Sequence, residues 1–488
     1  MLTNEDVTAR LAFANPPTTD ALRLRIGPAA RHHTIGYDEL GRLVASAAAA
    51  LRREGLEPGD RVGLLMPQGA ALPVWFFGAI HGGFVPCILP WPTAKMDDEK
   101  YERNLTAVVG ELGLATLLRD RALPEPSHAP TTPHVRRDGA LFIQFTGGTT
   151  GTQKPVAVTP TMLAAQLGSY AHAIQLAETD AIASWLPLYH DMGLIACLLL
   201  PVIHRLPVTM LDPMEWVMRP ASLLEAISAD RATLCWLPNF AHAFMARKVP
   251  ADLDVDLSCL RAVVNCSEPV RPTSVDAFAT RFTRHGLRGD ALLTSYAMAE
   301  ATFAVTQTTL DDPPRRRDGR LSCGRPIDGI DLRIADGEIQ IAGEAVHVDG
   351  WYATGDLGEI VDGHLYVTGR KRDLIIVGGV NVLPEDVEDA AIVDGVRPGR
   401  VVAFGLLDEA LGTERLCIVA ERDYDGPGGT EAIAARIRSA VTATCPVAPH
   451  VVHVVPPRWI VKSTAGKPSR MDTRRRYLDR IASEGVRA

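Results

Sequence analysis

The chain has 488 residues, of which 47% are hydrophobic, and its 50 Lys and Arg against 58 Asp and Glu give a formal net charge of −8. That length exceeds what one hydrophobic core holds, and the composition suits packed domains rather than disorder. The acidic balance offers no general attraction to nucleic acid or to an anionic membrane, so neither is expected as a partner.

The N-terminal residues lack the basic start and apolar core of a signal peptide. The most apolar stretch, LIACLLLPVI, is too short to span a bilayer, so the expected location is cytoplasmic. GYDELGRLVASAAAALRREG has apolar residues at helical spacing, and GDRVGLLMP and GGFVPCILP read as short buried strands after turns. LFIQF, residues 141–145, is a further buried strand. Helix and strand keep alternating through residues 160–310, which predicts α/β layers with largely parallel sheets and ligands bound in loops at strand ends. After about residue 320, short strands with Gly-Asp turns predict a small β-rich subdomain up to residue 370. The charged run GRKRD then separates a large N-terminal domain, residues 1–370, from a small α+β C-terminal domain, residues 371–488. Eight scattered cysteines, without CxxC pairs or zinc spacing, predict reduced and mostly buried thiols rather than disulfides or a metal site.

The strand at 141–145 runs into TGGTTGTQK, where Gly147, Gly148 and Gly151 free the backbone and Thr146, Thr149, Thr150 and Lys154 add donors and charge. Several N–H groups can converge there on one phosphate. The spacing fits neither the common P-loop nor the dinucleotide fingerprint.

This loop resembles the phosphate loop of the acyl-adenylate-forming superfamily, which includes acyl-CoA synthetases, fatty acyl-AMP ligases and nonribosomal adenylation domains. Further blocks occur in that family's order: WLPLYHDMGL from Trp185, PNFA from Pro238, SEP from Ser267, SYAMAEAT from Ser295, YATGDLG from Tyr352, GRKRDLIIVGGVNVLPEDVE from Gly369 and STAGKPSR from Ser463. The resemblance covers nearly the whole chain, and YHDMGL, PNFA and AEAT are most similar to the fatty acyl-AMP ligase branch.

The resemblance implies ATP and Mg²⁺ as cofactors and a small-molecule carboxylic acid as substrate. It implies acyl-AMP formation with release of pyrophosphate, then transfer to a phosphopantetheine thiol of an acyl carrier protein or of coenzyme A. Glu300 would hold Mg²⁺, a hard cation that takes oxygen ligands. Tyr296, with its neighbours Ser295, Ala297 and Met298, would form one side of the adenine site and Ser267, Glu268 and Pro269 the opposite wall. Asp356 would accept the ribose hydroxyls, which an ionised carboxylate can do twice over, and Arg370 would add a ribose or phosphate contact. Lys467 would bring its charge to the α-phosphate and the carboxylate as the catalytic residue. His190 would orient the acid, with Trp185, Asn239, Phe240 and Ala297 lining its pocket. Arg372 is implied as the hinge about which the mobile C-terminal domain swings.

Fatty acyl-AMP ligases usually carry an insertion before the TGD block, but GEIQIAGEAVHVDGWYATGD leaves no room for it. Lys154 and GGVNVLPEDVE are closer to the CoA-ligase pattern, which leaves both acceptors open. Two other readings remain: an enzyme of this fold that activates a different oxyanion or uses an amine acceptor, and a non-catalytic nucleotide-binding regulator.

Overall fold

The computed structural model describes residues 2–13, 16–26, 31–92, 98–126, 132–146, 154–408, 411–424, 427–462 and 468–484. Its first strands, β1 (Asp20–Ile26) and β2 (Arg31–Gly36), pair antiparallel and lead into helix α1 (Tyr37–Arg53). Tyr37, Leu40, Leu43, Val44, Ala47 and Leu51 recur at helical spacing and are buried. They face helix α2 (Ala71–Gly82), where Gly78 has no room for a Cβ against Ala47.

Strands β3 (Arg61–Leu65), β4 (Val85–Ile88), β5 (Thr116–Arg119), β6 (Phe142–Phe145) and β7 (Pro155–Val158) form one sheet in the order β5-β3-β4-β6-β7. All its pairs are parallel except the β6–β7 hairpin. Helix α3 (Pro160–Ala173) then leads to a nine-stranded sheet. That sheet adds β8 (Ile182–Ser184), β9 (Val208–Leu211), β10 (Leu234–Leu237), β11 (Ala262–Asn265), β12 (Leu292–Ala297) and β13 (Ala304–Gln307). Its order is β13-β12-β11-β10-β8-β9-β1-β2, with Arg325–Pro326 outside β13. The strands from β12 to β1 are parallel and both edges are antiparallel. The sequence pattern anticipates this mixed α/β layering, because strands buried on both faces read as short apolar runs. Helices α4 (Asn239–Lys248) and α5 (Pro272–Phe282) connect β10 to β11 and β11 to β12.

The β-rich region is an antiparallel meander of β14 (Ile330–Ala335), β15 (Glu338–Gly343), β16 (Tyr352–Val361) and β17 (His364–Arg370). Beyond it, β18 (Ile375–Val377) and β19 (Val380–Val382) form a hairpin before helix α6 (Pro384–Ala390). The C-terminal sheet contains β20 (Val396–Asp408), β21 (Thr413–Arg422) and β22 (Val451–Val455). Alternation along β20 sends Val401 and Ala403 toward α6 and helix α7 (Thr430–Thr444), and Val402, Phe404 and Leu406 toward helix α8 (Arg470–Glu484).

LIACLLLPVI, the stretch too short to span a membrane, lies within a buried π-helical turn, Met192–Leu199, continued by Leu200–His204. No helix among the described residues is long and apolar enough to cross a membrane. All eight cysteines are free, six of them buried.

Candidate active site

The segments that begin at Thr146, Trp185, Pro238 and Ser267 leave the C-terminal ends of parallel strands, and Ser295 and Tyr296 lie at the end of another, where α/β sheets place ligands. Tyr296 is the penultimate residue of β12. After Ala297 and Met298 the chain turns through Ala299–Ala301 and returns as β13, closed by the Met298 N–H donating to the Phe303 carbonyl at 2.8 Å. The Ser295 hydroxyl is taken up inside this hairpin, donating to the Thr306 carbonyl at 2.8 Å. Gln144 on β6 donates to the carbonyls of Ala299 (3.0 Å) and Thr302 (2.9 Å), which ties the hairpin to the strand entering the phosphate loop.

Glu300 sits in the middle of that turn. The Tyr352 hydroxyl donates to its Oε1 at 3.3 Å, and the His347 N–H donates to its carbonyl at 2.9 Å. Burial raises the pKa of its carboxyl, and the nearby Asp191 charge adds to the shift.

Asp356 faces Arg370 across β16 and β17, a register pair that fixes both side chains. Its Oδ2 accepts from the Tyr296 hydroxyl at 2.7 Å, and its Oδ1 pairs with Arg370 Nε at 2.9 Å. Burial, and then the Asp356 charge, push the Tyr296 hydroxyl well above the usual tyrosine range, so it remains a donor. The opposite side begins where β11 ends. Ser267 holds the left-handed region at φ 69°, and Glu268 Oε2 accepts an N–H in the first turn of α4, that of Phe240, at 2.8 Å. Pro269 is exposed.

The phosphate loop is described at its neck. The Thr146 N–H donates to the Lys154 carbonyl at 3.0 Å, and the Lys154 N–H donates to Thr146 Oγ1 at 3.1 Å. Gly147, Gly148, Thr149, Thr150 and Gly151 lie outside the described residues, as does Lys467. The segment carrying Lys467 is likewise pinched at its base, where Lys462 bridges Pro468 and the Ser469 N–H donates to the Val461 carbonyl at 2.8 Å.

Before the π-helical turn, His190 Nδ1 lies 2.6 Å from Asp191 Oδ1, which also accepts the Met192 N–H at 2.7 Å and so anchors that turn. Gly193 there has no room for a Cβ beside the Pro187 carbonyl. Gln68 braces the same loop, donating to the carbonyls of Leu186 and Leu211 and accepting the Leu188 N–H. Trp185 stacks on the buried Trp216 with centroids 3.7 Å apart, and Phe240 meets both rings edge-on while 36% exposed. Asn239 acts as a rivet: its Oδ1 accepts from Asn265 Nδ2 and the Arg271 N–H, and its Nδ2 donates to Ser274 Oγ. Arg372 is half exposed in the turn Lys371–Asp373.

The donors around Glu300 are oxygens, which suits a hard cation. One carboxylate with phosphate oxygens is a usual Mg²⁺ set. Sequence reasoning missed Gln144, Asp191, Tyr352 and Trp216. Gln144 carried a signal as a polar residue in an otherwise apolar strand, and Asp191 and Tyr352 lie inside blocks already quoted.

Comparison with known proteins follows this geometry. JamA of Moorena producens, a medium-chain-fatty-acid–[acyl-carrier-protein] ligase, is 27% identical over 537 positions, covering 92% of this chain and 90% of that protein. A long-chain-fatty-acid–AMP ligase of Mycobacterium marinum is 28% identical across 86% of this chain and 87% of its own. In fold, the chain matches a solved structure from work on fatty acyl-adenylate ligases of E. coli and L. pneumophila with a TM-score of 0.84. That match is 24% identical over 99% of this chain and 98% of that one. It also matches the McyG A-PCP structure with phenylalanyl-adenylate, with a TM-score of 0.87 and 20% identity over 99% of this chain and 84% of that one. The profile of the AMP-binding enzymes matches residues 12–360, and the chain belongs to that family: it is a ligase that uses ATP to convert a carboxylic acid into its acyl adenylate.

Proposed function

We propose that the acid is a fatty acid and that its acyl group passes from AMP to a phosphopantetheine thiol on an acyl carrier protein, with coenzyme A as the second acceptor. The observation that bears on coenzyme A as an admissible acceptor is the short connection between β15 and β16, which has no room for the fatty acyl-AMP ligase insertion. Its Ala345 carbonyl accepts from Thr302 Oγ1 at 2.8 Å and its His347 N–H bonds to Glu300, so this stretch braces the catalytic hairpin. An alignment of 537 positions, longer than the chain itself, means that JamA carries segments with no counterpart here. The printed functions of JamA and of the M. marinum ligase support a fatty acid, and the first of them supports a carrier protein.

In this reading the N-terminal domain, residues 1–370, holds the reactants and the C-terminal domain, residues 371–488, moves about Arg372. Glu300 would hold Mg²⁺, which when bound would supply positive charge against the phosphates. Tyr296 and the wall at Ser267, Glu268 and Pro269 enclose the adenine, Asp356 and Arg370 hold the ribose, and the Thr146 to Lys154 loop cradles phosphate. His190 orients the carboxylate beside Trp185 and Phe240, and Lys467 stabilises charge on the α-phosphate. Free cysteines and the lack of a spanning helix among the described residues support a cytoplasmic location.

The test is pyrophosphate release over short, medium and long fatty acids and aromatic acids, followed by acyl transfer to coenzyme A and to a holo carrier protein. Fatty acids should lead, with transfer to the carrier. Equal turnover of aromatic acids, or acyl adenylate that reaches neither thiol, would contradict this reading. Lys467→Ala should depress adenylation by orders of magnitude while ATP affinity holds.

A further inference from the structure

Helix α6 carries four carboxylates, Glu385, Asp386, Glu388 and Asp389, within seven residues. They divide by helical spacing into two faces. Glu385 and Glu388 turn inward to Arg470 at the start of α8, with contacts of 2.7 and 2.8 Å, and Arg470 also binds Asp373 at 2.7 Å. Asp386 and Asp389 turn the other way. Asp386 Oδ1 meets Arg320 Nη2 at 2.5 Å, and Asp389 Oδ2 is in contact with Arg271 Nη1.

Arg271 is placed to matter. It follows Pro269 by two residues, and its backbone N–H is fixed at 3.0 Å to Asn239 Oδ1, the rivet that joins β11, α4 and α5. Its side chain is 25% exposed, and Glu388, Glu385 and Asp386 attract its charge besides Asp389. A guanidinium in that setting is held in one geometry, and removing it leaves the half-exposed Asp389 without its cation. Continuity runs from the wall at Ser267 to Pro269, through Arg271, α6 and Arg470, to the turn Lys371–Asp373. On the other side of that turn Lys371 Nζ is tied to Glu338 at 2.8 Å.

We propose that Arg271 is a positioning residue, which sets the orientation of the C-terminal unit by docking the outer acidic face of α6 against the strand end that forms the nucleotide wall. It acts on the reaction through that orientation and not by touching the reactants. The consequence for catalysis rests on the proposed two-step function, whereas the docking itself does not.

The experiment uses the full chain with spin labels at two exposed positions, Asp252→Cys and Glu431→Cys, in the backgrounds Arg271→Met, Arg271→Glu, Asp389→Arg and the Arg271→Glu/Asp389→Arg swap. The interlabel distance should be narrow with Arg271 present, broaden in each single variant and narrow again in the swap. The rate ratio of adenylation to acyl transfer should change by about fivefold or more in Arg271→Glu and return in the swap. A distance distribution indifferent to Arg271 overturns the docking. Broadened distances with both half-reactions unchanged, or falling in step, overturn the positioning role. If the unsubstituted enzyme transfers no acyl group, the two-step function fails while the distance measurement still decides the docking.

Discussion

Replacing Asp356 with Asn separates what this carboxylate does for the fold from what it does for the nucleotide. The residue is 7% exposed and its carboxylate serves two partners, the Tyr296 hydroxyl at 2.7 Å and Arg370 Nε at 2.9 Å. Asparagine keeps an oxygen for Tyr296 but turns a charge-assisted bond into a neutral one, a loss of about 1 kcal/mol. Arg370 is 41% exposed, so solvent screens its ion pair and the further loss is at most about 1 kcal/mol. Together they amount to about 2 kcal/mol, a fall in Tm of ~2 °C for a chain of this size. Asp356→Ala should cost more, because the buried Tyr296 hydroxyl then loses its charged acceptor and keeps weaker partners such as the Met298 sulfur at 3.9 Å. A carboxylate offers about four lone-pair sites and two are engaged, so ribose hydroxyls can join without displacing either partner. Losing one charge-assisted ribose bond in Asp356→Asn should weaken ATP binding about tenfold. Thermal unfolding and titration calorimetry read the two effects separately. Tyr296→Phe is the control, lowering Tm while leaving the Asp356 oxygens free for ATP. A lowered Tm with unchanged ATP affinity in Asp356→Asn would refute the ribose role, and an unchanged Tm would refute the reasoning from the pair.

Glu300→Gln should raise Tm at neutral pH while abolishing Mg²⁺-dependent adenylation. Burial raises this carboxyl's pKa in the fold, so ionising it destabilises the protein as pH rises through the ordinary carboxyl range to the raised value, and the variant's advantage should vanish below that range in a Tm series against pH. Trp216→Ala, at a fully buried ring stacked on Trp185, should cost about 3 to 5 kcal/mol in chemical denaturation, whereas Phe240→Ala should leave the fold intact and shift the preferred acid in a competition assay. Arg372→Pro should accumulate enzyme-bound acyl-AMP in a single-turnover assay that follows adenylate and thioester separately, because proline fixes φ. Equal losses in both half-reactions of the folded variant would count against the hinge.

The parts of the fold that depend on local pattern were legible. The strand read at 141–145 is β6, and the helix read from GYDELGRLVASAAAALRREG is α1 with its expected buried face. What was hidden depends on contacts distant in sequence. Ser295 stands beside Tyr296 in the same block, yet its hydroxyl bonds to Thr306 in the returning strand, and only the hairpin register shows that. Asn239 read as pocket lining, but its amide spans α4, β11 and α5. Met192–Leu199 gave only apolarity, since a π-helical turn has no distinct spacing over so few residues. LPEDVEDA reads only as part of a family block, and the division of its acidic run between Arg470 and Arg271 needs residues far away on both sides.

The proposed nucleotide site gathers Asp191, Glu300 and Asp356, which looks electrostatically inverted for a polyanion, and its logic lies in the order of charges. The carboxylates are held apart by fixed partners. Asp356 is committed to Tyr296 and Arg370, and Asp191 to His190 and the Met192 N–H. Glu300 keeps the more open arrangement, with one long bond from Tyr352 and a raised proton affinity. A buried carboxylate that resists ionisation gains most when a cation arrives, because the cation removes the repulsion and the desolvation cost together. In the proposed function ATP would arrive with its metal, whose charge would add to the pull of Arg370 on Glu300, whereas free ATP would add anions to anions. The same asymmetry explains why the brace on Glu300 is made of backbone groups and a neutral phenol. A lysine or arginine there would satisfy the carboxylate in advance and leave the metal nothing to neutralise.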